Sequence, residues 1–218
     1  MDPIPRSFFA RPTLDVAPDL VGCLLVHDLE GGPRLAGRIV ETEAYTRDDP
    51  AMHGWKAMFD DQGLVLPQGR AADLFAAPGI AYVYLTYYTN WLLNVVTEPE
   101  GEAGAVLIRA LEPVEGLEEM RSRRPAARRD RDVANGPAKL TQALGIASGA
   151  FHGTDLTRPP LFFAAPPAAS PAPRLANSCR IGITRGVERL YRFFEEGNPH
   201  VSPGVPSDVR LARKAARR

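Results

Sequence analysis

Hydrophobic positions along this chain come in short runs separated by turn signals, a pattern of strands rather than of long helical stripes. LVGCLLVHDL at 20–29 is an apolar run of strand length, EGGPR at 30–34 is a turn, and LAGRIVETEAY at 35–45 is a second strand, so the three predict a hairpin. Residues 46–78 form a polar, Gly/Pro-containing stretch without a sustained period. GIAYVYLTYYTNWLLNVVT at 79–97 predicts two strands around a polar turn near Tyr88–Asn90, and GAVLIRAL at 104–111 another strand. Helical spacing follows at Val114, Leu117 and Met120 within 112–124. The arginine-rich 125–134 is expected to be mobile, and NGPAKLTQALGI at 135–146 to be a helix with Pro137 near its first turn and Gly145 as its stop. Residues 158–176 read as Pro/Ala-rich loop, CRIGITR at 179–185 and RLYRFFEE at 189–196 as closing strands, and the tail from about 205 to 218 as basic and flexible. The sum is one α+β domain over residues 1–218, with a largely antiparallel sheet and flanking helices and no internal repeats.

Composition narrows the class only slightly. At 218 residues the chain is long enough for one sizeable core, since roughly 70% of the unfolded surface disappears on folding at this size. Lys and Arg number 26 and Asp and Glu number 26, so net charge argues neither for nor against nucleic acid. Cys23 and Cys179 sit in apolar surroundings without zinc spacing, as buried thiols of a reducing compartment would. No secretory leader and no apolar run near ~18 residues is present, so the expectation is a soluble cytoplasmic protein.

Chemistry enters with RIVETEAY at 38–45. Strict alternation puts Ile39, Glu41, Glu43 and Tyr45 on one strand face, with the two glutamates roughly 7 Å apart at ~3.3 Å per residue. An exposed face would simply solvate both acids; a buried one demands a cationic or hydrogen-bonding partner and offers a general base. Tyr82 and Tyr84, with Tyr87, Tyr88 and Trp91 close behind, are either core or a cage for a flat ring, and a tyrosine-tipped turn suits a wedge between bases. Asn94 in WLLNVV must find hydrogen bonds, structural or substrate-reading. Arg109 in an apolar strand calls for a carboxylate such as Glu41 or Glu43. Arg121 to Arg131 and Arg210 to Arg218 are either solvated faces or phosphate contacts.

In order and spacing, GRIVETEAY, GIAYVYLTY with a downstream LN, VLIRALEPVEGLEEMR, NGPAKLTQALGI, GTDL and RFFEEGNPHVS resemble the alkyladenine (3-methyladenine) DNA glycosylase family, from about residue 8 to 203. The resemblance implies a mixed single domain that excises alkylated or deaminated purines (3-methyladenine, 7-methylguanine, hypoxanthine, ethenoadenine) from duplex DNA, with no metal or organic cofactor. It implies Glu43 as the water-activating base and Arg109 as the residue that helps hold that water. Tyr45, His53 and Tyr84 match residues stacking around the flipped base, Asn94 the one that disfavours a 2-amino group, and Tyr87 the one filling the vacated gap. Where the family's turn often reads Tyr-Gly-Met, this chain has Tyr87-Tyr88-Thr89, so Tyr88 enters as a second wedge candidate. The family's TPRN…MF run after the histidine is missing, with Lys56 and Arg70 as weak substitutes for its phosphate contacts. No lysine nucleophile is indicated, so a monofunctional, monomeric enzyme is expected, without membrane or obligate protein partner and nucleoid-associated if bacterial. The rivals are a lesion-binding protein of the same fold and a carbohydrate hydrolase using Glu41 and Glu43 as an acid/base pair.

Overall fold

The computed structural model describes residues 1–53, 55, 69–86, 88–146, 148–166 and 170–216. Two short helices, α1 (Arg6–Phe9) and α2 (Thr13–Asp19), precede strands β1 (Leu24–Asp28) and β2 (Arg34–Thr46). Then come β3 (Ala81–Thr86), β4 (Asn90–Val96), β5 (Gly104–Glu115), α3 (Leu117–Ser122) and α4 (Pro137–Ala143). The strands β6 (Leu161–Ala164), β7 (Leu175–Ser178) and β8 (Arg192–Glu195) and the helix α5 (Ser207–Ala215) complete the chain. All strands join one sheet with the path β3-β4-β5-β2-β1-β6, and β8 pairs with both β2 and β7. The pairings are antiparallel throughout, so the expected α+β class with an antiparallel sheet holds.

The hairpin predicted over 20–45 forms from β1 and β2, and the strand pair predicted over 79–97 forms from β3 and β4. So does α4: Pro137 sits in its first turn, where a missing N–H costs nothing. Gly145 takes φ +73° beyond its end, which glycine does without a Cβ penalty. The main core lies between one sheet face and the helices, with Phe9, Leu25, Ile39, Leu93, Ile108, Leu140 and Phe163 all buried in it.

Four expectations need correction. The segment 179–185 is not a strand: Gly182 takes φ +84°, the Ile181 N–H goes to the Glu43 carboxylate and the Ile183 N–H to the Ser207 hydroxyl. Backbone donors spent on side chains leave nothing for a ladder. The Pro/Ala-rich loop contains β6, whose four residues are all buried against β1; a four-residue apolar run among prolines is too short to show periodicity. The helical spacing from Val114 begins too early, because β5 runs on to Glu115 through Pro113, which sits opposite Gly37 where the register shifts and no donor is required. The arginine-rich 125–134 carries a 3₁₀ turn at Asp130–Asp132. That turn is fastened by Arg121 to Asp130 and by Arg129 to Asp132 at 2.9 Å. Among the described residues no helix is long and apolar enough to cross a membrane.

Candidate active site

The strand carrying the glutamates is irregular where it matters. Register shifts flank Glu41, with Ile39 opposite Leu111, Glu41 opposite Ala110 and Thr42 opposite Ile108. Val40 and Arg109 are thus the extra residues, one on each strand. An extra residue reverses the face on which later side chains emerge. Ile39 consequently lies in the main core with Ala44, while Tyr45 packs into a separate cluster with Met52, Leu74 and Tyr82. The expected shared face of Ile39, Glu41, Glu43 and Tyr45 is therefore split between Ile39 and Glu41. At the same point the neighbour of β2 changes, from β1 along Arg34–Arg38 to β8 along Glu41–Glu43.

Both glutamates are fully buried, yet their surroundings differ. Glu41 is ringed by donors: Arg109 Nε at 2.8 Å, Arg192 Nε at 2.7 Å, the Ser202 N–H at 2.7 Å and its hydroxyl at 2.9 Å. Burial pushes its carboxyl up, but the two guanidiniums and the hydrogen bonds win and hold it below the ordinary range. Three of these donors share Oε1 and the fourth holds Oε2, which describes a structural anion. Glu43 is more lightly held. Its Oε1 accepts from the Ile181 N–H at 2.7 Å. Its Oε2 accepts from the Tyr45 hydroxyl at 2.9 Å and lies 3.2 Å from Arg109 Nη1. Arg109 therefore bridges the two carboxylates; the partner anticipated for it is not one glutamate but both.

Beside Arg109 opens a cavity of about 500 Å³, lined by Tyr45, His53, Tyr82, Tyr84, Asn94 and the Ile181–Ile183 loop among others. That falls within the ~300–1,000 Å³ typical of small-ligand pockets. Its walls are flat rings: His53 and Tyr84 meet edge-on at 5.0 Å between centroids, and Tyr82 and Tyr84 at 5.4 Å. The Tyr82 hydroxyl contacts His53 Nδ1 at 2.6 Å. Burial and then the charge of Arg70 lower the His53 pKa, so this ring is neutral at pH 7. Burial, followed by the Glu43 charge, raises the Tyr45 hydroxyl well above its usual value, so it remains a donor. Asn94 is buried opposite Tyr82, gives its Nδ2 to the Tyr82 carbonyl at 3.1 Å and lines the cavity.

Of the predicted residues, Tyr45, His53, Tyr84, Asn94 and Arg109 line the cavity, whereas Glu43 is fully buried behind that lining and is joined to it through the Tyr45 hydroxyl and Arg109. Tyr87 and Lys56 lie outside the described residues. Tyr88 forms the tip of the β3–β4 turn, is 95% exposed and takes φ +58°. A left-handed conformation is uncommon for a bulky side chain, so the turn is strained at Tyr88.

Arg180 escaped the sequence reading. It is fully buried, pairs with Asp49 and donates to the Ala44 carbonyl at 2.9 Å, and lies 4.6 Å from the centroid of the Tyr45 ring. Asp49 in turn accepts from the Ala51 N–H at 3.0 Å and shapes the turn leading to His53. One buried cation thereby fixes two walls of the cavity. Its only sequence signal was an arginine ahead of Ile-Gly-Ile, which carries no burial information.

Comparison with known proteins places the chain among relatives. The methylpurine-DNA glycosylase family profile matches residues 7–199. A Salinibacter ruber protein named "Putative 3-methyladenine DNA glycosylase" is 57% identical over 208 residues, covering 95% of this chain and 100% of that one. Proteins of the same name from Chlorobium luteolum and Burkholderia orbicola are 42% and 43% identical, each over 93% of this chain, covering 97% and 92% of theirs.

Proposed function

Because the chain belongs to the methylpurine-DNA glycosylase family, we propose that it excises alkylated and deaminated purines flipped out of duplex DNA, with Glu43 as the base that activates water. The observation that carries this reading is the contrast between Glu41, held by two guanidiniums and Ser202, and the more lightly held Glu43, joined through Tyr45 and Arg109 to an aromatic cavity.

Flipping costs a few kcal/mol of lost stacking. The base recovers part of that between Tyr45, His53 and Tyr84. Alkylation at N3 or N7 makes a purine cationic, and ring faces attract cations by about 0.5–2 kcal/mol; a neutral His53 adds no repulsion. Water then attacks C1′ as the C1′–N9 bond breaks, Glu43 takes the water proton, and the electron pair leaves with the purine. Arg109 holds Glu43 and the water in register. A cationic purine departs neutral without further help, whereas hypoxanthine needs a proton, so pocket hydrogen bonds carry more of that reaction. Asn94 opposes an exocyclic 2-amino group. No lysine lines the cavity among the described residues, which fits hydrolysis to an abasic site rather than Schiff-base lyase chemistry.

The test is a panel of duplexes, each with one lesion, assayed under single-turnover conditions for free base and for alkali-labile abasic product. Release is expected for 3-methyladenine and hypoxanthine. Tight binding without release of any base would replace this reading by the lesion-binding one.

Tyr88, alone or with Tyr87, fills the gap left in the stack. Tyr88→Gly is expected to act in opposite directions on function and stability. Loss of a stacking side chain worth about 1–3 kcal/mol slows excision roughly 5- to 150-fold. Relief of the left-handed φ raises folding stability by about 1 kcal/mol. Unchanged excision alongside higher stability, read by single-turnover assay and thermal melting, would remove Tyr88 from the wedge.

A further inference from the structure

The helix α5 has no structural reason to be there. Ser207 is buried, but every residue from Asp208 to Ala216 is exposed. Val209 and Leu211, each 37% exposed, are isolated apolar residues rather than a packed face. The helix is pinned by its first turn alone. The Ser207 N–H donates to the Arg180 carbonyl at 2.9 Å, the Ser207 hydroxyl accepts from the Ile183 N–H at 3.1 Å, and Arg210 Nη2 donates to the Ile183 carbonyl at 3.3 Å. Ile183 lines the purine cavity, and two residues earlier the Ile181 N–H holds Glu43. An otherwise unsupported helix therefore projects from the wall of the site.

Its charge is one-sided. Balanced net charge hides an uneven distribution. Several arginines elsewhere on the surface are tied to carboxylates, among them Arg34 to Asp28, Arg47 to Glu102, Arg129 to Asp132 and Arg189 to Asp48, while the exposed Arg70, Arg128, Arg131 and Arg185 have no ion pair among the described residues. Arg210, Arg213 and Lys214 have no ion pair among the described residues, and they line a shallow cavity of about 370 Å³ with Val205. Asp208 is the only acid in α5. Cations without an ion pair on an unpacked helix anchored to a wall residue of the base pocket suit a polyanion that lies against that wall.

We propose that α5 docks the DNA backbone next to the flipped nucleotide, with Arg213 and Lys214 each neutralising a phosphate and Arg210 fixing the helix to the pocket wall. The inference rests on the glycosylase reading for the identity of the polyanion, not on the role of Glu43. Neutralising a phosphate releases about 0.9 counterion from duplex DNA, so each contact leaves its mark on salt dependence.

The experiment is fluorescence anisotropy of a labelled, undamaged duplex titrated with full-length protein between 50 and 200 mM salt. For R213A/K214A the slope of log K against log salt is expected to flatten by about 1.8, and affinity near 0.1 M salt to fall about tenfold or more. R213E/K214E should weaken binding further. Arg34→Ala is the control: Arg34 begins β2, eleven residues and roughly 36 Å of strand from Tyr45, and the slope should not respond to it. An unchanged slope in R213A/K214A, or an equal change in Arg34→Ala, overturns the proposal. Because the duplex carries no lesion, the readout is independent of excision. A flattened slope together with no base release by the wild type would sink the excision reading alone.

Discussion

Glu43→Gln is expected to slow single-turnover release of hypoxanthine by about 10²–10⁴-fold, the usual worth of a positioned proton acceptor. Hypoxanthine is the informative substrate because it departs less readily than a cationic alkylpurine, so the reaction depends more on water activation. The substitution keeps the shape and removes the basicity. One amide oxygen still accepts from the Ile181 N–H, which holds Glu43 Oε1 at 2.7 Å. The new NH₂ then faces Arg109 Nη1, 3.2 Å from the present Oε2, and two donors repel. Some stability is lost with it, so melting is followed in parallel and release is scored at a temperature where both proteins are folded. Smaller losses are expected for 3-methyladenine, whose positive charge already weakens the glycosidic bond. Wild-type release of hypoxanthine from the Gln variant would exclude Glu43 as the base.

Strand geometry made RIVETEAY legible as a polar strand but left its two acids unranked, and the reason is physical. Period-2 alternation treats Glu41 and Glu43 as equivalent. What separates them is their donors, and these arrive from far along the chain: Arg192 and Ser202 at Glu41, the Ile181 N–H at Glu43. The same distance effect hid Arg180, whose burial depends on Asp49 and the Ala44 carbonyl. The register shifts at Val40 and Arg109 were invisible for another reason, since a bulge residue needs no special composition. Aromatic and turn signals fared better because they are local. Tyr82 and Tyr84 share the cavity face as alternation requires, and Pro137 and Gly145 bracket α4.

Glu41→Ala is expected to be the most destabilising single change near the site, by about 3–5 kcal/mol. The truncation strands the buried Arg192 guanidinium, 5% exposed, and the Ser202 N–H, and leaves Arg109, also 5% exposed, with Glu43 as its one remaining carboxylate. Uncompensated buried charge costs far more than the pair was worth, since desolvation has already been incurred. Against a typical total of about 5–15 kcal/mol this is roughly a fifth of the stability or more. At about 2–4 °C per kcal/mol for a chain of this size, melting should fall by roughly 6–20 °C. Glu41→Gln should cost less, because an acceptor remains and only the charge goes. The acid limb supplies an independent check. The folded Glu41 pKa lies below its unfolded value, so its contribution is fully present above the ordinary glutamate range near 4.3 and drains away as pH falls through the folded pKa. Glu41→Gln should therefore unfold less steeply with acid than wild type. A melting temperature for Glu41→Ala within a degree or two of wild type would mean that Arg109 and Arg192 do not need this anion, and the division of labour between the two glutamates would fall with it.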